Sequence, residues 1–358
     1  MNLYETKNDS VLQEDLENIV SYPLDWDKLK GKSFFVTGAT GLVGASFVRA
    51  LCCANRVRDL DVKILVLVRS EEKARDIFGD LIERENIKMV LSDISKEIEI
   101  EDEIDYIIHA AAVTNSKLMV TEPVETIMTA IDGTKNILGL AKKKNVESMI
   151  YLSSMEAYGK PSEGNEYVTE SDYGYVDFLT VRSCYPESKR MAECLCACYF
   201  AEYGVPVKMA RLAQTFGAGI MKTENRVFSQ FARSLINETD IVLHTQGDSY
   251  GNYCYTSDCI TALLFMLLNG ANGEAYNVTN ESTNIMIRDM AKLVADMSDG
   301  KINLVFDIPE DALKYGYAPS VKMKLCGEKL TKLGWKAKVD LPEMYERLIR
   351  SMKETGNY

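Results

Sequence analysis

Tyr185 and Lys189 stand four residues apart, the spacing that puts two side chains on one face of a helix. An ammonium beside a phenol stabilises the phenolate and lowers a pKa that is ordinarily about 10. A phenol tuned in this way exchanges a proton with a substrate hydroxyl while hydride passes between that carbon and a nicotinamide ring. Ser154, just past the apolar run Met149-Ile150-Tyr151-Leu152, would hydrogen-bond the same oxygen. Alone the pair is a weak signal, because Tyr-x-x-x-Lys falls on many helices by chance. Upstream, however, Thr37-Gly38-Ala39-Thr40-Gly41-Leu42-Val43-Gly44 follows the apolar Phe34-Phe35-Val36 and leads into the helical pattern of residues 45–54. Its glycines allow a tight turn and close approach to a pyrophosphate, whose charge the free N–H groups and dipole of the helix start then hold. Gly38, Thr40, Gly41, Leu42, Val43 and Gly44 are therefore expected at a dinucleotide.

These residues need a scaffold. Short, uninterrupted apolar runs at 62–68, 88–91, 106–112 and 149–153 alternate with helical stretches at 45–54, 125–145 and 185–203, as parallel strands covered on both faces require. The expectation is an α/β fold, a doubly wound parallel (Rossmann) sheet with a smaller, interleaved C-terminal substrate lobe. Residues 1–30 read as a polar lead-in with an amphipathic helix near 11–20. Residues 31–212 read as the dinucleotide domain, with segments returning near 240–270, and 213–239 and 271–358 as the lobe.

Composition bounds the partners. The chain has 358 residues, 46% hydrophobic and 26% charged, enough for a large core. A net charge of -12 argues against nucleic acid or an anionic membrane as partner. No apolar run approaches the roughly 20 residues that span a bilayer, and the first residues show no secretory pattern, so a cytoplasmic protein is expected. Nine cysteines without regular spacing suit a reducing compartment. Cys194, Cys196 and Cys198 share one predicted helix, and small buried residues, not a metal site, are expected there. The second predicted strand ends in Val68-Arg69-Ser70 instead of the acidic residue that binds a free ribose 2′-hydroxyl. Arg69, with Ser70, Lys73 or Arg75, suits a 2′-phosphate. NADP is expected ahead of NAD, with NAD open.

Together these motifs resemble the extended short-chain dehydrogenase/reductase family, which contains the NAD(P)-dependent nucleotide-sugar epimerases, dehydratases and decarboxylases. The resemblance covers about residues 30–350 and adds Asp93-Ile94, His109-Ala110-Ala111-Ala112, Gly133-Thr134, Tyr158-Gly159 and the segment from Arg211 to Gly217. Within the family, Arg182-Ser183-Cys184-Tyr185, Lys189-Arg190-Met191-Ala192-Glu193 and Asn225-Arg226-Val227-Phe228-Ser229 look most like UDP-glucuronate decarboxylases. By resemblance, Asp93 and Ile94 border the adenine, and Ala110, Ala111 and Ala112 the middle of the cofactor. Tyr185 and Lys189 also touch the cofactor, Arg226 meets the substrate diphosphate, Gln214 and Tyr255 line the substrate, and the protein is a homodimer.

Residue 156 bears on the reaction. Dehydratases and decarboxylases of the family carry a glutamate where Glu156 stands, and a carboxylate there can take the C5 proton once C4 is a ketone. A surface glutamate in a loop would need no such role. Met155 stands where many dehydratases have a proton donor for the leaving hydroxyl, which a thioether cannot be. Gly251 stands where relatives usually carry an arginine, and Gln214 and Asp132 each stand where an asparagine is common. The resemblance implies transient C4 oxidation of a nucleotide sugar followed by dehydration or decarboxylation. An NADPH-dependent reductase of a nucleotide-linked keto sugar or ketose and a 4-epimerase are the alternatives, and a non-catalytic dinucleotide sensor would not need Ser154, Tyr185 and Lys189.

Overall fold

A computed structural model describes residues 4–162, 167–308 and 322–358. Residues 1–3, 163–166 and 309–321 of the expected lead-in, dinucleotide domain and lobe lie outside the described residues. Seven parallel strands, β1 (Ser33–Thr37), β2 (Lys63–Val68), β3 (Ile87–Leu91), β4 (Tyr106–His109), β5 (Ser148–Ser154), β6 (Val207–Leu212) and β7 (Ala275–Val278), pair in the order β7-β6-β5-β4-β1-β2-β3. This is the doubly wound α/β fold. The chain reverses its direction of growth between β1 and β4, and the crevice beyond the carboxyl ends of those strands is where such sheets bind ligands.

Alternation along the strands fills two cores. On β1, Phe34 and Val36 join one apolar cluster with the helices Leu42–Arg58 and Thr256–Asn269. Phe35, between them, joins the other cluster with the helices Pro123–Lys144 and Cys184–Tyr203. Both faces of the sheet are therefore covered, which explains why the strands read as unbroken apolar runs.

The polar lead-in is more than a lead-in. Asp9 caps the helix Ser10–Val20 by accepting from the Leu12 N–H at 2.9 Å, and Val11, Leu16, Ile19 and Val20 are buried in the first core. Asp15 accepts from the Tyr255 hydroxyl at 2.6 Å and from Arg347 at 2.6 Å. The helix thus ties the sheet to the C-terminal helix Leu341–Thr355.

The lobe has its own core of Phe216, Phe228, Phe231, Tyr253, Met290 and Tyr345. Two of the expected boundaries differ from what forms. Residues 275–278, expected in the lobe, are the outer strand of the main sheet, while Ile241–Leu243, expected to return to that sheet, pairs with Leu304–Phe306 in the lobe. Runs of three or four residues carry too little periodicity to assign a sheet. The cysteine expectation also needs correction: Cys196 is buried, but Cys194 and Cys198 are exposed. Among the described residues no His, Cys, Asp and Glu cluster suits a metal, and no helix is long and apolar enough to cross a membrane.

Candidate active site

The glycine turn is built to keep side chains out. Gly38 has φ +64°, and a Cβ there would lie 2.5 Å from the Ala110 carbonyl carbon. A Cβ on Gly44 would lie 2.2 Å from the Gly38 oxygen, while Gly41 caps the helix that starts at Leu42. That helix has no acidic residue in its first turn, so its free N–H groups and positive end face outward unneutralised. The turn is clamped to the end of β4. The Thr37 hydroxyl accepts from the Ala111 N–H at 3.2 Å and lies 2.8 Å from His109 Nδ1, whose Nε2 is 3.2 Å from the Thr134 hydroxyl. Burial pushes His109 down to about 3. A neutral ring carries one N–H donor and one acceptor nitrogen, and each ring nitrogen meets one threonine hydroxyl. Gly38, Gly44 and the helix start therefore fit a dinucleotide, and the turn lies directly against Ala110 and Ala111.

Past the end of β3, Ile94 is buried and a Cβ on Gly133 would come within 3.2 Å of it. The Asp93 carboxylate accepts from the Ser95 N–H at 2.9 Å and hydroxyl at 2.8 Å. Those bonds, with the nearby Arg69 charge, hold it below the usual carboxylate range. Arg69 is exposed at the end of β2. Ser70 caps the helix Glu71–Phe78, and Arg75 is tied to Glu71 and Glu83, so of the expected phosphate partners only Arg69 and Lys73 keep a free head group.

Ser154 ends β5, and its hydroxyl accepts from the Glu156 N–H at 3.2 Å. Tyr185 and Lys189 face it from the first turns of the helix Cys184–Tyr203. Lys189 Nζ donates to the Leu152 carbonyl at 2.7 Å and lies 5.7 Å from the Tyr185 ring centre. Burial pulls Lys189 down to about 8. Burial also pushes Tyr185 up to about 12, helped by the Glu156 carboxylate and opposed by the Ser154 hydrogen bond and the Arg182 and Arg226 charges. The expected lowering of the phenol by Lys189 is thus not found in the free protein, where burial dominates and the ammonium donates to the Leu152 carbonyl.

Glu156 has a partner that its loop position concealed. Arg182 Nη2 donates to its two carboxylate oxygens at 2.9 and 3.1 Å, and the guanidinium sits 5.8 Å from the Tyr185 ring centre. Both side chains stay partly exposed. The short helical turn Val181–Ser183 presents Arg182, three residues before Tyr185, where the sequence showed the residue without its role.

The expected substrate residues divide. Arg226 pairs with Glu224 at 2.6 Å and, with Thr40, Leu42 and Asn115, lines a cavity of about 1560 Å³. Gln214 opens the short strand Gln214–Phe216, half-buried, its N–H donating to the Asn252 carbonyl at 2.9 Å. Tyr255 must be corrected: its ring is fully buried and its hydroxyl is spent on Asp15. An aromatic side chain in a strand next to a site has two faces to choose from, and spacing did not say which. At Gly251 a Cβ would meet the Tyr253 hydroxyl at 2.3 Å, so the packed tyrosine leaves no room for a side chain at this position.

Sheet, glycine turn and Ser-Tyr-Lys set together define a dinucleotide-dependent enzyme of the Rossmann type. The chain belongs to the NAD dependent epimerase/dehydratase family, whose profile matches residues 34–279. UDP-glucuronic acid decarboxylase 6 of Arabidopsis thaliana is 28% identical over 310 residues, covering 86% of this chain and 85% of that protein. UDP-glucuronic acid decarboxylase 1 of Xenopus tropicalis is 27% identical, covering 90% and 72%. Among solved structures, the dTDP-glucose 4,6-dehydratase of Streptomyces venezuelae with NAD bound shares the fold at a TM-score of 0.74 and 22% identity, covering 90% of this chain and 97% of that one. The UDP-N-acetylglucosamine 4-epimerase of Methanobrevibacter ruminantium shares it at 0.76 and 19%, covering 91% and 99%.

Proposed function

We propose that the protein carries out a redox-neutral lyase reaction on a nucleotide sugar, decarboxylating a nucleotide-linked hexuronic acid. The observation that carries this reading is the Arg182 guanidinium held beside Glu156 and Tyr185, a cation suited to a carboxylate next to the carbon being oxidised. Met155, which cannot protonate a leaving hydroxyl, favours decarboxylation over dehydration.

A bound dinucleotide supplies the hydride acceptor for C4 and later the hydride donor. Tyr185 takes the C4 hydroxyl proton and Ser154 fixes that oxygen. With C4 a ketone, the sugar is a β-keto acid: the C5–C6 bond breaks, carbon dioxide leaves, and the electron pair moves into the C4 enolate. Ser154 and the Tyr185 hydroxyl stabilise that oxygen. C5, which keeps its own hydrogen, takes up one solvent-derived proton on the Glu156 side, and Tyr185 returns its proton as C4 is reduced. Arg182 orients the carboxylate, Lys189 holds the nicotinamide ribose, and Arg226 exchanges Glu224 for the diphosphate.

Incubating the purified protein with UDP-glucuronate should release carbon dioxide with no net change in reduced nicotinamide. Stoichiometric loss of NADPH on a keto sugar, with no carbon dioxide from any nucleotide hexuronate, would instead establish the reductase. Arg69 favours NADP as cofactor. Arg69→Asp removes a phosphate partner and adds a ribose acceptor, so the ratio of NADP to NAD affinity should fall about tenfold or more, the worth of one charge-assisted hydrogen bond. A ratio unchanged in direct binding would assign the preference elsewhere. Exposed Val124, Ile127, Met128 and Met191 on the helices Pro123–Lys144 and Cys184–Tyr203 support a homodimer across those helices. The free thiols suit the cytoplasm.

A further inference from the structure

The helix Cys184–Tyr203 carries a further side chain that the proposed chemistry leaves unused. Arg190 follows Lys189, and its guanidinium donates to three backbone carbonyls: Ala157 at 2.7 Å, Tyr158 at 3.1 Å and Gly174 at 2.7 Å. The Glu187 carboxylate stands off at 3.5 Å, so the fork serves the main chain first. Ala157 and Tyr158 close the helical turn Met155–Tyr158 that presents Glu156, and Gly174 opens the stretch that leads to Arg182. The two segments are pressed together. The Gly174 N–H donates to the Tyr158 carbonyl at 2.9 Å, and Lys160 and Tyr175 exchange backbone bonds at 2.8 and 2.9 Å. A Cβ on Gly174 would lie 2.2 Å from the Lys160 oxygen, so only glycine allows this approach. Beyond it, the Asp177 carboxylate accepts from the Leu179 N–H at 3.2 Å and the Thr180 hydroxyl at 3.0 Å, and its carbonyl accepts from the Ser183 hydroxyl at 2.7 Å. Those bonds carry the constraint on to Arg182. Apolar burial does not hold the stretch, since Tyr175, Phe178, Leu179 and Val181 are all exposed.

We propose that Arg190 is a positioning residue, which ties the Glu156 turn and the Arg182 stretch to the helix bearing Tyr185 and so brings those two side chains together. This rests on the proposed function, in which Arg182 orients the substrate carboxylate. Glu156 and Arg182 are 26 residues apart in the chain, and the one bridge between their segments, Lys160 with Tyr175, is too short to hold by itself. Their own ion pair is partly exposed, and such pairs contribute little. The guanidinium supplies the missing hold, because its planar fork reaches both segments at once with charge-assisted bonds. One helix then carries the proton relay on Tyr185 and Lys189 and, one residue on, the clamp for the groups that face it.

The first test needs no substrate. In arginine-labelled protein the NMR signal of the Arg182 guanidinium, assigned by its loss in Arg182→Met, should move in Arg190→Met towards the position it takes in Glu156→Gln, because each variant takes the paired carboxylate away from it. A signal left at its wild-type position in folded Arg190→Met protein would overturn the proposal. If that variant does not fold, Arg190→Lys is measured in its place. An ammonium is a point charge and not a fork, so the signal should move in the same direction, and no movement overturns the proposal equally. The second test reads the reaction. Arg190→Met should lower kcat/KM on UDP-glucuronate about tenfold, the worth of one charge-assisted contact, but less than about twofold once Arg182→Met is present, because residues that act through one contact are not additive. Equal losses in the two backgrounds would make Arg190 a general support of the fold and overturn its positioning role. If no carbon dioxide is released from UDP-glucuronate, the proposed function fails, and the guanidinium signal alone decides whether Arg190 holds the pair.

Discussion

Tyr185→Phe should lower turnover by about 10²- to 10⁴-fold, the usual worth of a general acid–base group, while leaving the fold and dinucleotide affinity in place. The ring stays to pack against Met119 and Cys184, and only the proton relay is lost. Because the free phenol sits at about 12, it is protonated across the neutral range. Sugar oxidation needs the phenolate, so its rate should climb with pH until Lys189, at about 8, begins to lose its charge. Tyr185→Phe should abolish that climb. Lys189→Met should also weaken dinucleotide binding. Rapid-mixing measurement of reduced nicotinamide in the first turnover, with circular dichroism as the fold control, checks both variants. Near wild-type turnover by Tyr185→Phe would remove the residue from the mechanism.

The strand, glycine turn and helix arrangement was legible because it depends largely on local backbone geometry. Gly44 is demanded by a close approach to Gly38 within one turn and Gly38 by its positive φ, and Tyr185 and Lys189 share one helix face, so each leaves a spacing in the chain. What the sequence withheld are pairings across long loops. Glu156 and Arg182 are 26 residues apart, Asp15 and Tyr255 are 240 apart, and no period links them. Tyr255 illustrates the cost: the residue type suggested a substrate contact, and the partner that decides its role lies in a lead-in helix at the other end of the chain. The tuning of Tyr185 was missed for a related reason. Spacing placed the ammonium on the right face, but the Leu152 carbonyl that captures it belongs to another element, and burial then outweighs the charge.

Arg182→Met and Glu156→Gln should fail in different ways, and the difference identifies the reaction. Arg182→Met removes a charge-assisted contact to the substrate carboxylate, worth about 1.5–3 kcal/mol or roughly 10- to 100-fold in kcat/KM. The loss should fall on the hexuronate, while transient oxidation of the corresponding neutral nucleotide hexose is little changed. Glu156→Gln keeps the size and much of the hydrogen bonding but removes a proton-carrying group. C4 oxidation should survive, and a keto intermediate with reduced nicotinamide should accumulate on the enzyme. Heavy water then separates the routes. In a decarboxylase, loss of carbon dioxide generates the enolate, so deuterium enters at C5 of the product only and recovered hexuronate stays unlabelled. If Glu156 instead abstracted the C5 proton, as a dehydratase requires, label would appear at C5 or at the carbon protonated after elimination, and Glu156→Gln would suppress it. A reductase needs neither residue for proton transfer at C5. A native substrate converted without solvent label at carbon and at an undiminished rate by Glu156→Gln would therefore overturn the lyase reading and leave Arg182 and Glu156 as a surface ion pair at the mouth of a ketoreductase.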